Sequence, residues 1–288
     1  MSPECTKNIT IFDYAKFTKT SSISVPIITL TTDLGTKDYY VGSLKGAILS
    51  QSPEATIVDI THEIKPFDML QASIVMRNTY RDFPKGTIHI IGVNPDVTEE
   101  SRHLVVSIHE QYFIMPDNGM FSLIFDSVAD EVVALTLQQR TEMLSFPTKD
   151  IYVTAAAHLA RGGSPNVIGK PVKDLAELVM FRAVSEERLI RGMAVYIDHY
   201  GNVLTNIDSK LFKQFIKYPN FSIQLRRSEY EIKEISKTYG DVPNGEKLAL
   251  FGTTGFLEIS INRGDASKLL GINQSDIIRI EFYDHPNR

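Results

Sequence analysis

The chain has 288 residues, 43% of them hydrophobic and 23% charged, with a net charge of −5. That acidic balance argues against nucleic acid, whose binding needs a concentrated basic surface. The single cysteine, Cys5, excludes a disulfide framework and a cysteine-rich metal site. No apolar run approaches the ~18 residues of a membrane span. The first residues lack a long apolar stretch, so no secretory signal is expected, and the expected location is cytoplasmic. Residues 1–24 read as a loosely held leader.

From Pro26 onward, strand-like and helix-like segments alternate. "IITLTT" is a buried strand, and "YYVGSLKGAILSQ" carries Val41, Leu44 and Ile48 at helical spacing. "TIVDI" is a second strand. In "FDMLQASIVMRNTYRDF", Ala72, Val75, Met76 and Thr79 mark a second amphipathic helix. "TIHIIGV" reads as a buried strand, "HLVVSIHEQYFIMP" as a β pair, and "DNGMFSLIF" as a turn and short helix. "EVVALTL" is a strand, and "DIYVTAAAHLARGG" a helix stopped by Gly162 and Gly163. Such alternation predicts a mostly parallel sheet with helices on both faces, which places ligands at the carboxyl ends of its strands. The charged stretch "RAVSEERLIRG" suits a linker. Beyond it, "MAVYID", "VLTNI", "FSIQL", "KLALFG", "FLEISIN" and "IIRIEFY" predict an all-β, barrel-like domain. The expected organisation is therefore an α/β domain over residues 25–185 and a β domain over residues 192–288.

Several polar residues stand where a site would form. Asp33 ends the first strand, with too few glycines nearby for a phosphate cradle. A carboxylate there suits a ribose 2′,3′-diol, or it caps the following helix. In "DITHEIKPFD", His62 and Glu63 are adjacent and lack metal-ligand spacing; Phe67 in the same loop faces a pocket or the core. Asn94-Pro95 leaves a buried strand and suits either a site or a plain turn. "YIDHYGNVLTNI" puts Asp198, His199 and Asn202 in a hairpin-like turn that needs no ligand to explain it. The turn Gly252–Gly255 has backbone amides suited to a carboxylate, and a plain hairpin accounts for it equally. His158, on an apolar helix, reads as a core histidine.

Six ordered stretches together resemble one family: "TTDLGTKDYYVGSLKGAIL", "VDITHEIKPFDMLQAS", "FPKGTIHIIGVNP", "PDNGMFSL", "IDHYGNVLTNI" and "GFLEISINRGDA". They are similar to the S-adenosyl-L-methionine (SAM) hydroxide adenosyltransferases and their relatives, the SAM-dependent fluorinase and chlorinase. The resemblance implies displacement at C5′ of SAM by a small nucleophile, with L-methionine leaving, and neither a metal nor any cofactor beyond SAM as substrate. It implies a homotrimer with sites between subunits. By motif, Asp33 matches the carboxylate that holds the ribose hydroxyls, and Phe67 an aromatic position near the ribose and the reacting carbon. Asp198 and Asn202 match a pair near the methionine and adenosine parts. Thr253 and Thr254 match the turn that holds the amino-acid carboxylate, and Tyr239 an aromatic residue that stacks on adenine. Asn94 and Thr148 match positions lining the nucleophile pocket.

The chain departs from that pattern where water activation is expected. The hydroxide-forming members have an Asp-Arg-His set; the matching positions here are Asn94, Ser101 and Pro147. An amide and a proline cannot serve as general bases. Loop slippage would bring Asp96, Arg102 or His103 into play instead. The halogenase pattern, with a tyrosine at position 94 and a serine or glycine at position 148, does not match either. Two alternatives to an adenosine-forming SAM hydrolase therefore stay open: an impaired SAM- or adenosine-binding protein, and a halide-using enzyme.

Overall fold

A computed structural model describes residues 25–96, 98, 101–137, 145–179, 182–225 and 230–285. The leader expected over residues 1–24 lies outside them. The first sheet is built from β1 (Ile27–Thr32), β2 (Thr56–Thr61), β3 (Ile88–Gly92), β4 (His103–Ile108), β5 (Gln111–Pro116), β6 (Glu131–Leu135) and β7 (Gly169–Pro171). Their spatial order is β2-β1-β3-β5-β4-β6-β7. The half β2-β1-β3-β5 is parallel, as expected for buried strands joined by helices. The other half is antiparallel, because β4 and β5 form a tight hairpin around His109 and Glu110, which forces the return direction.

Helices cover both faces. On one side α1 (Tyr40–Gln51) buries Leu44 and Ile48 against Ile28 and Ile90, together with Val153, Ala156 and Leu159 of α4 (Val153–Ala160). On the other, α2 (Met69–Thr79) buries Ala72 and Met76 with Met120 and Ile124 of α3 (Met120–Ile124). Asp68 caps α2 by accepting the Gln71 N–H at 2.9 Å. The stop at Gly162-Gly163 is as read: both amides return to the last turn of α4, on the Leu159 and His158 carbonyls. The short helix α5 (Pro165–Ile168) then leads into β7.

The stretch read as a linker is a hairpin. β8 (Val184–Glu186) pairs with β9 (Leu189–Ile197) across a turn at Glu187-Arg188. Its charges face solvent while Ile190 enters the core, so alternation rather than charge content describes it. The chain leaves the first sheet earlier, after Pro171, and residues 172–179 stay on the first domain. The second sheet continues with β10 (Val203–Asp208), α6 (Ser209–Lys213), β11 (Asn220–Gln224), β12 (Lys247–Phe251), β13 (Phe256–Ile261), α7 (Ala266–Leu270) and β14 (Ile277–Tyr283). It is antiparallel, in the order β11-β14-β9-β10-β13-β12, and curls around one apolar core drawn from all six strands. A small apolar seam joins it to the first domain: Leu70 and Ile74 of α2 pack against Val195, Leu204 and Phe256.

Candidate active site

The strands β1 and β3 are neighbours, and Thr32 pairs with Gly92 at their carboxyl ends. Asp33 is the next residue after that pair. It does not cap α1, which starts at Tyr40 with Tyr39 in the cap position. Its Oδ2 accepts the backbone N–H of Phe67 at 2.9 Å, while Gly35 donates its N–H to the His62 carbonyl at 2.8 Å. The turn after β1 is thus zipped to the loop after β2. Phe67 sits at φ +66 with its side chain 69% exposed, so its ring faces outward rather than into the core. Such a backbone costs on the order of 1–3 kcal/mol, which tends to persist where geometry serves a site.

Asn94 lies two residues beyond Gly92, half-buried and also left-handed, at φ +49. Thr148 begins a π-turn that runs into α4 and is fully buried. It packs directly on Gly92: a Cβ at that position would stand 2.5 Å from Thr148 Cγ2 and 2.6 Å from Oγ1. Only glycine lets this hydroxyl approach the end of β3 so closely. Asp33, Phe67, Asn94 and Thr148 therefore gather around one pair of strand ends.

Of the residues near Asn94, Ser101, Arg102 and His103 are engaged in other contacts. Ser101 Oγ accepts the Thr98 N–H at 3.0 Å. Arg102 forms ion pairs with buried Asp117 and with Asp174. His103 Nδ1 meets the Tyr152 hydroxyl at 2.8 Å, and burial lowers the histidine's proton affinity. Asp96 is exposed.

The second group lies in turns of the curled sheet, with Asp198 and Asn202 between β9 and β10 and Tyr239 ahead of β12. Asp198 Oδ1 accepts the N–H groups of Tyr200 and Asn202, and its Oδ2 accepts the Asn202 amide, each at 2.9 Å. The Tyr239 hydroxyl donates to Glu258 Oε1 at 2.8 Å. Desolvation, that bond and the nearby charges of Glu258 and Asp198 push the phenol upward. Thr253 and Thr254 form the turn between β12 and β13. They line a cavity of about 1160 Å³ between the domains, with Arg77 at the carboxyl end of α2 and Asp208 opposite. Among the described residues, no hydrogen bond or ion pair joins this second group to Asp33, Phe67, Asn94 or Thr148.

Among the described residues no cluster of three or more His, Cys, Asp and Glu is placed to hold a metal ion, and no helix is long and apolar enough to cross a membrane. Glu258 escaped sequence reasoning. Its signal was a lone acid between Phe256 and Ser260 on the outward positions of an apolar strand.

Models of the N-terminal and C-terminal domains of the SAM hydroxide adenosyltransferases match residues 28–169 and 192–279. The chain belongs to the SAM hydroxide adenosyltransferase family. It is 30% identical to the (R)-S-adenosyl-L-methionine hydrolase of Methanocaldococcus jannaschii, over 89% of this chain and 96% of that one. A fluorinase of Actinopolyspora mzabensis is 24% identical, over 90% and 98%. A solved structure of an uncharacterized conserved protein from Thermotoga maritima superposes with a TM-score of 0.80 at 32% identity, covering 88% of this chain and 99% of that one. In this SAM hydroxide adenosyltransferase family member, both groups of candidate residues fall inside the matched domains.

Proposed function

We propose that the protein binds SAM and cleaves it at C5′ with a small nucleophile, water first, releasing L-methionine and adenosine. The observation that supports this most is the gathering of Asp33, Asn94 and Thr148 around the paired ends Thr32 and Gly92, in a chain of this family.

Among the described residues only one Asp33 oxygen is engaged, by the Phe67 N–H, and the other takes the ribose diol. Phe67 covers the ribose and the reacting carbon. Thr148 donates to the incoming nucleophile, and the Asn94 amide orients it. Methionine leaves as a neutral thioether, so no acid is required, and the proton released as water bonds to C5′ passes to solvent. Alignment and removal of water from the nucleophile supply the acceleration. Asp198 and Asn202 take the methionine and adenosine parts, Tyr239 stacks on adenine, and Thr253 and Thr254 hold the amino-acid carboxylate. The reaction uses SAM as its substrate and calls for no cofactor.

The residues at 94, 101 and 147 supply no general base, and Arg102 and His103 are engaged in other contacts. Turnover is accordingly expected about 10²–10⁴-fold slower than with a positioned base. Membership of this family supports a homotrimer in which a neighbour completes each site.

The test is incubation of the pure protein with SAM, with adenosine and methionine followed by chromatography, with and without chloride. Stoichiometric adenosine and methionine are expected in both. Binding of SAM without turnover would make the protein a binder only; a chlorinated adenosine would make chloride the nucleophile. Light scattering at working concentration should give three times the monomer mass of 32.4 kDa.

A further inference from the structure

The motif "DITHE" remains without a role in the proposed reaction, yet it holds a buried histidine beside the site. His62 is 4% exposed. Its Nδ1 lies 2.7 Å from Thr32 Oγ1, and its Nε2 approaches Asp59 Oδ1 at 3.1 Å. Asp59 Oδ2 in turn accepts from Lys45 of α1. Desolvation works to raise the Asp59 carboxyl, but bonds from Lys45 and His62 outweigh it and hold it below the usual range.

Lys45 donates to Asp59, and His62 Nε2 lies within ion-pair distance of the same carboxylate. Nδ1 shares a hydrogen bond with the Thr32 hydroxyl, the donor being set by the tautomer of the ring. Thr32 Oγ1 then accepts the Leu34 N–H at 3.4 Å. The backbone ties the same turn from the other side: Gly35 donates to the His62 carbonyl, and Ile64 to the Thr32 carbonyl. Asp33 is the residue between Thr32 and Leu34. The Nε2 approach to Asp59 is not aligned as a good hydrogen bond, and among the described residues Nε2 has no other partner. The Nδ1–Thr32 contact is therefore the stronger anchor.

We propose that His62 is a positioning residue: through Thr32 and the turn that follows, it sets where the Asp33 carboxylate points, and so the site's preference for an intact ribose diol. This rests on the reading of Asp33 as the ribose clamp. It assigns His62 no contact with substrate and no proton transfer.

The experiment compares adenosine with 2′-deoxyadenosine by calorimetry, in the wild type and four variants. Wild type should prefer adenosine. His62→Ala and Thr32→Val should weaken adenosine roughly ten- to hundredfold, as for misplacement of a binding group, and bind the two nucleosides almost equally. His62→Asn keeps a hydrogen-bonding amide near the Nδ1 position and should keep most of the preference; His62→Gln, which places its amide near Nε2, should lose it. A purely structural role would lower the melting temperature and leave the preference of the folded protein intact, which would overturn the proposal. If His62→Ala does not fold, the near-isosteric Thr32→Val decides: a retained preference overturns it. If the wild type itself shows no preference, the ribose-clamp reading of Asp33 fails, and the proposal with it.

Discussion

Asp33 and Phe67 stand 34 residues apart, and one hydrogen bond of 2.9 Å joins the carboxylate of the first to the backbone of the second. The acid that reads as the ribose ligand also fixes the backbone of the aromatic residue beside it. Removing the acid therefore acts on both. Asp33→Ala should weaken adenosine by about 1.5–3 kcal/mol for the lost charged acceptor. Titration calorimetry checks it; unchanged affinity would leave Asp33 with a backbone role only.

Gly92 and Thr148 make a pair that tolerates no extra methyl group. Gly92→Ala should displace Thr148, cost about 1–3 kcal/mol of stability as overpacking does, and abolish the positioning of the nucleophile. Adding Thr148→Ala should restore much of the stability but not the turnover. A double-mutant cycle in urea, with SAM cleavage measured alongside, separates the two effects. Additive losses in stability would mean that the two residues do not share this space.

Arg102 neutralises Asp117, whose side chain is 3% exposed. Arg102→Ala leaves that charge buried and unpaired except for the Ala176 N–H. The expected loss is about 3 kcal/mol, read from urea unfolding, with Arg102→Lys recovering part of it. A loss below about 1 kcal/mol, the range of exposed ion pairs, would mean that solvent reaches Asp117.

His89 lies wholly buried in β3, between Thr29 Oγ1 at 2.7 Å and Gln111 Oε1 at 3.3 Å. Burial pushes its pKa down to about 4, against a smaller upward pull from Gln111. In the unfolded chain the value is near 6.5. The unfolded state thus takes up the proton first as pH falls. This contribution to stability is full above pH ~6.5 and is lost progressively down to about 4. The total is on the order of 3 kcal/mol. His103, lowered in the same direction, adds to the same window. Unfolding midpoints at pH 7.5 and 5 should therefore differ in wild type, and His89→Gln should shrink the difference. An unchanged difference would place the acid sensitivity elsewhere.

Much of this architecture was legible because its signals are local. Val41, Leu44 and Ile48 mark α1, and short alternating runs mark the strands of the second sheet. The hairpin β8–β9 was missed because Ser185, Glu186, Glu187 and Arg188 look like a solvated linker, whereas pairing is a property of two segments. At the site, Asp33 was legible as a strand-end acid, but its bond to Phe67 was not, since it spans two separate loops. The tight fit of Thr148 on Gly92 was equally hidden, because it depends on how a π-turn meets a strand end.

The segment that leaves the first domain is stitched down along its length. Asp174 meets Arg102, Ala176 meets Asp117, and Leu178 exchanges two hydrogen bonds with Ser122 while filling the space above Gly119. Any side chain at Gly119 would collide with Leu178, and φ +93 there already demands glycine. The boundary between modules, as recombination would meet it, therefore falls after Val179 rather than at the end of β7. A chimera spliced earlier would inherit a foreign strap over sockets made by Arg102, Asp117, Gly119 and Ser122, and its halves would meet in the wrong register unless those four travelled with it.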